Sequence, residues 1–332
     1  MLVLYISYEF SLLPIVYIIV TWGSYPDRSL RALILLIYTG LFSLPLIGGL
    51  FYLYSTYFTF FFGLSYSSSF SLSPLLRIFI FFSFCVKLPI YGLHFWLPIA
   101  HVEAPTFGSI ILAGILLKLG GMGLIRFFCF LDYLVVKNYF LAYFLIFLVF
   151  RTIICCMQSD FKRLIAYSSV SHIIAVPLVI LSGSSLGLKA SVLLMVFHGL
   201  SSPLLFALVG ILYGLFSSRQ LVLIRGLLLL SPLLSVLCII SFFFSLSAPP
   251  YVSFFSEVLL FICRLAITPF SLPPLLLFAF FSMVYGLNWL SSVIFSFPTV
   301  SSFSLITPFS LSLPLFLIHF YSLLFLFIVP LF

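Results

Sequence analysis

The sequence predicts an all-α, polytopic membrane protein of about ten transmembrane helices, two of them discontinuous. Three observations carry that prediction. Of 332 residues, 64% are hydrophobic and only 6% charged, with a mean hydropathy of +1.38; such a chain cannot bury its apolar surface inside a water-soluble globule. The apolar residues fall in runs of roughly 20, the length that crosses the hydrocarbon core as a helix. Prolines interrupt two of these runs, and such breaks are tolerated only where the freed backbone is buried in protein or lines a wet cavity.

In order, the spans are expected at 2–20, 31–54, 75–97, 105–128, 134–157, 164–182, 188–216, 226–263, 272–297 and 309–331. The first carries Glu9 near its middle and has no basic flank before it, so it reads as a spanning helix rather than a signal peptide. The third has Pro89 just after Lys87, and the eighth has Ala-Pro-Pro at 248–250 just before Glu257. That eighth run is also long enough to need a bend or two short pieces. Arg28, Arg31, Lys162, Arg163, Arg219 and Arg225 fall at connections that alternate onto one side, and Arg126, Lys137 and Lys189 onto the other. The positive-inside rule places the first group in the cytoplasm or matrix and both termini opposite. A net charge of +8 is accounted for by lipid headgroups at these loops and needs no nucleic-acid partner. The Ser/Phe-rich stretch 65–73 reads as a loop, and heavy use of Phe, Leu, Ser and Tyr hints at an organellar genome.

Four ionisable residues sit well inside apolar runs: Glu9, Lys87, Lys118 and Glu257. A charge at the bilayer centre costs about 2.5–3.5 kcal/mol on insertion scales, so each needs a partner or a function. A buried lysine gives up its proton more readily and one facing a carboxylate holds it; making or breaking a Glu9–Lys87 pair would therefore load or unload a proton. The alternative is that these charges form structural ion pairs that fix helix register, and for Glu9 and Lys87 the two readings are compatible. One break carries Lys87 and the other Glu257, and paired discontinuous spans point to an ion pathway. His198, in "MVFHGLSSPL", lies mid-span with Ser201 and Ser202 one turn on. It is either a proton relay between lysines or a satisfied core histidine. His172 is a secondary relay candidate. His94, His101 and Glu103 lie in the "LHFWLPIAHVEAP" connection, where capping or loop fixing is expected, and His319 reads as structural.

The six cysteines lie in or beside apolar segments with no C-x-x-C pair, and read as small core residues. His101-x-Glu103 lacks a third ligand at usable spacing. No phosphate-binding loop, nucleotide fingerprint or Ser-His-Asp arrangement occurs. No metal or redox cofactor is expected in this chain.

The stretch "VKLPIYGLHFWLPIAHVEAPTFGSIILAGILLKLGGMGLIR" (86–126) closely resembles the signature region of the subunit-4 family of mitochondrial NADH:ubiquinone oxidoreductase, complex I. "QSDFKRLIAYSSVSH" (158–172), "FHGLSSPLLF" (197–206) and "APPYVSFFSEVLL" (248–260) follow in the family's order, and "YEFSLLPIVYIIVTWGSYPDRS" is similar to its fifth helix and following loop. The resemblance implies an antiporter-like membrane-arm subunit built on two inverted five-helix repeats. Residues 1–130 would be the first repeat lacking its first helix, 131–298 the second, and 299–332 a C-terminal transmembrane helix. It further implies that Glu9 pairs with Lys87, that Lys118 and His198 form the central relay, and that Glu257 lies at the far end. The start at the fifth helix implies that the first four are encoded separately, as a four-helix partner, or lost. Ile99 stands where family members usually carry lysine, which touches a loop charge and not the axis.

The function expected is proton translocation by a core subunit of complex I in the mitochondrial inner membrane, coupled to NADH oxidation and ubiquinone reduction. Other membrane-arm subunits and lipids would be the partners, with FMN, iron–sulfur clusters and ubiquinone held elsewhere in the complex. A free-standing cation/proton antiporter is the alternative from a different class. A truncated structural subunit is a third, and the retained charges count against it.

Overall fold

The structure, a computed structural model, describes residues 2–23, 25–57, 73–90, 92–131, 137–249 and 251–296. The tenth expected span, His319, the third expected unit and nearly all of the loop at 65–73 lie outside the described residues. Within them the chain is helical, with one isolated antiparallel bridge, Asp160 to Gln220. Among the described residues, seven helical stretches are long and apolar enough to cross a membrane uninterrupted. The third and eighth expected spans are not among them because they are built from shorter pieces.

Helices α1 (Leu2–Trp22) and α2 (Arg28–Tyr57) come first and pack together. Helix α3 (Pro74–Lys87) starts with Pro74 at N1 and the Ser73 hydroxyl accepting from the Leu76 amide. It stops at Lys87 because Pro89 has no N–H for the Cys85 carbonyl. The Ile90 amide takes that acceptor instead, at 3.3 Å. Val86 thereby loses its normal donor, and the Trp96 indole replaces it at 3.1 Å. Gly92, at φ +83°, turns the chain into α4 (Trp96–Glu103). Helix α5 (Thr106–Ile111), a π-helical turn (Leu112–Leu116) and α6 (Leu117–Leu131) form the fourth span.

The fifth, sixth and seventh spans are α7 (Lys137–Cys156), α8 (Phe161–Ile180) and α9 (Ser185–Phe216). The eighth comprises α10 (Leu227–Leu230), α11 (Pro232–Ser245) and α12 (Val252–Ile267). Between α11 and α12, Ser247 takes a left-handed φ of +53°, and the Ser253 hydroxyl donates to the buried carbonyl of Phe244 near the end of α11. A 3₁₀ turn (Pro269–Ser271), α13 (Leu272–Leu290) and a second π-helical turn (Ser291–Phe295) complete the described chain.

The buried apolar residues form two clusters, and several helices pass from one to the other. Helix α8 contributes Leu164–Ala166 to one and Val170 onward to the other; α9 changes between Met195 and Phe197; α12 changes between Val252 and Leu260; α13 changes between Phe278 and Tyr285. His172, His198 and Glu257 lie at or close to these crossovers. The seam between the two apolar halves is therefore where His172, His198 and Glu257 collect, whereas Glu9 and Lys87 lie within one half.

Three of the six basic residues assigned to one side, Arg31, Lys162 and Arg219, meet at the end of α4. Arg31 pairs with the buried Glu103, and Lys162 and Arg219 donate to carbonyls at the end of α4. Lys162, expected in a loop, is buried, because its ammonium caps the carbonyls of Val102 and Ala104.

Candidate functional site

The first expected pair is present. Lys87, at the last residue of α3, places Nζ 3.3 Å from Oε1 of Glu9. The ammonium also lies 3.7 Å above the Tyr8 ring centroid and 5.1 Å from that of Tyr5. Cation–π contact supplements the single carboxylate in holding a desolvated cation. The two partners differ in setting: the Lys87 side chain is 3% exposed and that of Glu9 28%. Gly120 makes the lysine's position possible, since a Cβ there would stand 3.1 Å from the Lys87 Cβ.

Lys118 follows the π-helical turn and donates to the Ala113 carbonyl within it. Such turns expose backbone acceptors that a regular helix keeps occupied. On its other side Lys118 Nζ lies 2.9 Å from His198 Nδ1. Gly199 leaves room for this bond, because its Cβ would come to 3.1 Å from Lys118 Cε. Ser202 donates to the His198 carbonyl at 2.7 Å and lies 3.5 Å from Nδ1.

His172, held in reserve on sequence, completes the row. Its Nδ1 is 3.4 Å from Glu257 Oε1, and Nε2 is 3.5 Å from the Tyr285 hydroxyl. Glu257 also accepts from Ser247 at 2.7 Å. The His172 and His198 ring centroids are 6.4 Å apart. Beside them lies a cavity of about 30 Å³ whose lining includes both histidines, Glu257 and the hydroxyls of Ser168, Ser202 and Ser256. That volume holds about one water with ample polar partners. A second cavity of only about 10 Å³, lined by Leu88, Leu117 and Met195 together with Lys118, His172 and His198, is at the lower limit for a water.

Three linked pairs thus follow one another: Glu9 with Lys87, Lys118 with His198, His172 with Glu257. Of the connection residues, Glu103 pairs with Arg31, and His101 stacks on Phe206 with centroids 4.4 Å apart. Sequence reading missed Tyr285, whose mid-span hydroxyl was the available signal. It also missed Arg151, buried in α7 with its guanidinium 5.2 Å from the Tyr167 centroid, and Arg264, buried near the end of α12. Cys156, expected in the core, is exposed.

This fold and site define a multi-pass α-helical membrane protein with two interrupted spans and a row of acid–base pairs between its helices. The chain belongs to the NADH:quinone oxidoreductase/Mrp antiporter transmembrane family, whose pattern matches residues 1–285. It is 40% identical to NADH-ubiquinone oxidoreductase chain 4 of Aedes aegypti over 286 residues, 85% of this chain and 64% of that one. With the chain 4 of Lumbricus terrestris it shares 36% identity over 299 residues, 88% of this chain and 66% of that one. It spans just under two thirds of the length of these relatives. In fold it is similar to a chain of respiratory complex I from Thermus thermophilus, with a TM-score of 0.83, 21% identity and coverage of 99% and 71%. A chain of the Mrp complex from Dietzia also gives 0.83, at 16% identity and coverage of 98% and 71%.

Proposed function

We propose that this chain is the antiporter-like subunit 4 of NADH:ubiquinone oxidoreductase and conducts protons along its buried row in the mitochondrial inner membrane. The carrying observation is the succession of three acid–base links between the helices, Glu9–Lys87, Lys118–His198 and His172–Glu257. Four or more ionisable groups retained in an apolar interior, each with a specific partner, match the requirements of a relay better than those of a scaffold. Chain-4 relatives at 36–40% identity favour complex I over a free-standing antiporter.

In this reading Glu9 and Lys87 form the switchable pair. Breaking it releases a proton from a lysine that has lost its counter-charge, and reforming it restores the ammonium. Lys118 and His198 pass the proton across the seam, with the water-sized cavity bridging to His172 and Glu257. Leu88 and Leu117 line the small cavity beside Lys118, and water entering there or side-chain movement would join the pair to the relay. The chemistry of NADH oxidation and ubiquinone reduction, with its FMN and iron–sulfur clusters, belongs to partner subunits. Other membrane-arm subunits and lipids are the proposed neighbours.

Residues 1–130 and 131–298 are proposed as the two inverted repeats. Supporting this division, the interrupted span is second from last in each unit, and each carries half of a pair whose other half is on an earlier helix: α1 and α3 in the first, α8 and α12 in the second. The signs are exchanged. The acid is on the unbroken helix in the first pair and on the broken one in the second.

Lys87→Met tests the proposal. The expected result is an assembled complex whose NADH-driven proton pumping is impaired. Full pumping at normal turnover would reject the relay.

A further inference from the structure

Helix α11 ends in a turn that glycine usually closes. The Ala248 amide donates to the Phe243 carbonyl at 3.0 Å and the Ser247 amide to that of Phe244 at 3.4 Å. These are the paired bonds of a Schellman cap, in which the residue at the place of Ser247 takes a left-handed conformation. Ser247 does so at φ +53°, where a Cβ is strained and glycine is not. Glycine would serve the backbone better, so what the serine adds lies in its side chain. Ser217, at φ +49°, follows α9 in the same conformation, but its hydroxyl turns back to the adjoining Phe216 carbonyl. The Ser247 hydroxyl instead crosses the break and donates to Glu257 Oε1 on α12 at 2.7 Å.

Helices α11 and α12 bring three other serines to the cavity beside Glu257, and each has its proton committed elsewhere. Ser245 donates to Phe242, Ser253 to Phe244 and Ser256 to Ser253, all to backbone carbonyls. Of these four, Ser247 is the one that gives its proton to the carboxylate. The oxygen it holds, Oε1, is also the one that lies 3.4 Å from His172 Nδ1. An O–H donating to an ionised carboxylate is among the stronger hydrogen bonds, and a glutamate without it is free to turn about its broad terminal torsion. With Ser253 fastened to the end of α11 and Ser247 to α12, the two pieces are linked in both directions across the interruption.

We propose that Ser247 is a positioning residue: held by the strained cap of α11, its hydroxyl keeps Oε1 of Glu257 turned toward His172, so that the acid follows the end of α11 as well as its own helix. A shift of that end relative to α12 would carry Oε1 away from Nδ1 and open the last link of the row. This rests on the reading of Glu257 and His172 as relay members.

The test measures protons pumped per NADH oxidised by the assembled complex in sealed membrane vesicles. S247G keeps the left-handed turn without strain and S247A keeps the strain; both lack the hydroxyl. Each should lower the ratio at least twofold, and E257Q/S247G should lose no more than E257Q alone. A merely structural loss would reduce the amount of assembled complex and leave the ratio of the remainder unchanged. A full ratio in either single variant, or losses that multiply in the double one, overturns the proposal. Where one single variant fails to assemble the other decides, and failure of both overturns it too, because the hydroxyl would then be a brace of the fold. A full ratio in E257Q overturns the relay reading, and this inference with it.

Discussion

Replacing Gly199 by alanine adds one methyl group at the contact between Lys118 and His198. The new Cβ would stand 3.1 Å from Lys118 Cε and 3.6 Å from the Gly114 carbonyl oxygen. Carbon atoms rest at about 3.5–4.0 Å, so the lysine stem must withdraw by about 0.5 Å. If the ammonium follows, its 2.9 Å approach to His198 Nδ1 opens to about 3.4 Å, beyond good hydrogen-bond geometry. A hydrogen bond to a charged group contributes about 1.5–3 kcal/mol, and each 1.36 kcal/mol on a barrier is tenfold in rate. Proton pumping in Gly199→Ala should therefore fall at least about tenfold. The control lies on the same helix: Gly214 has nothing within 4 Å of its added Cβ, so Gly214→Ala should leave pumping unchanged. Alanine favours a helix over glycine by about 1 kcal/mol, so neither variant should lose folding stability through its backbone. The assay is NADH-driven proton uptake by sealed vesicles, normalised to assembled complex on a native gel. Pumping by Gly199→Ala within twofold of the unmodified protein would refute the Lys118–His198 contact as a conducting link.

Other expectations concern the supports of the site. Trp96→Phe removes the indole donor to Val86 and leaves a buried carbonyl unsatisfied, costing about 1–3 kcal/mol; thermal denaturation of the isolated complex should begin earlier, and an unchanged profile would show that another donor fills the gap. Arg31→Met leaves Glu103 buried without its counter-charge. Breaking a fully buried pair costs about 3–5 kcal/mol, and the 28% exposure of Arg31 lowers the expected loss to about 2. Adding Glu103→Gln should recover most of the assembled complex on a native gel, whereas a double variant as poor as the single one would speak against the ion pair.

Much of this arrangement was legible in the sequence because hydrocarbon imposes harsh rules. Each described span follows an apolar run, and Pro89 and the prolines after Ala248 mark the breaks, since no other residue removes a backbone donor so surely. Glu9, Lys87, Lys118 and Glu257 stood out because charge is scarce in such runs. Less visible was anything decided by a neighbouring helix. The partnership of His172 with both Glu257 and Tyr285 depends on how α8, α12 and α13 are rotated, which spacing along one helix does not specify. Lys162 looked like a loop residue because its sequence position is the start of a span; only the meeting of α4 and α8 buries it. Arg264 sits just beyond the expected end of the eighth run, where an exposed, snorkelling side chain is the ordinary outcome. The π-helical turn before Lys118 had no proline to announce it.

The Trp96 bond to Val86 has a bearing on which half of the first pair can move. It clamps the backbone where α3 ends, one residue from Lys87, so the interruption is a braced corner and not a slack joint. The lysine is packed beneath Gly120 and two tyrosine rings. Glu9, by contrast, rides on a helix whose flank is open, with Phe10 and Leu13 facing outward beside it. In the proposed relay, control of the pair would then fall to the acid, and whatever lies along the outer flank of α1 would have its hand on the latch.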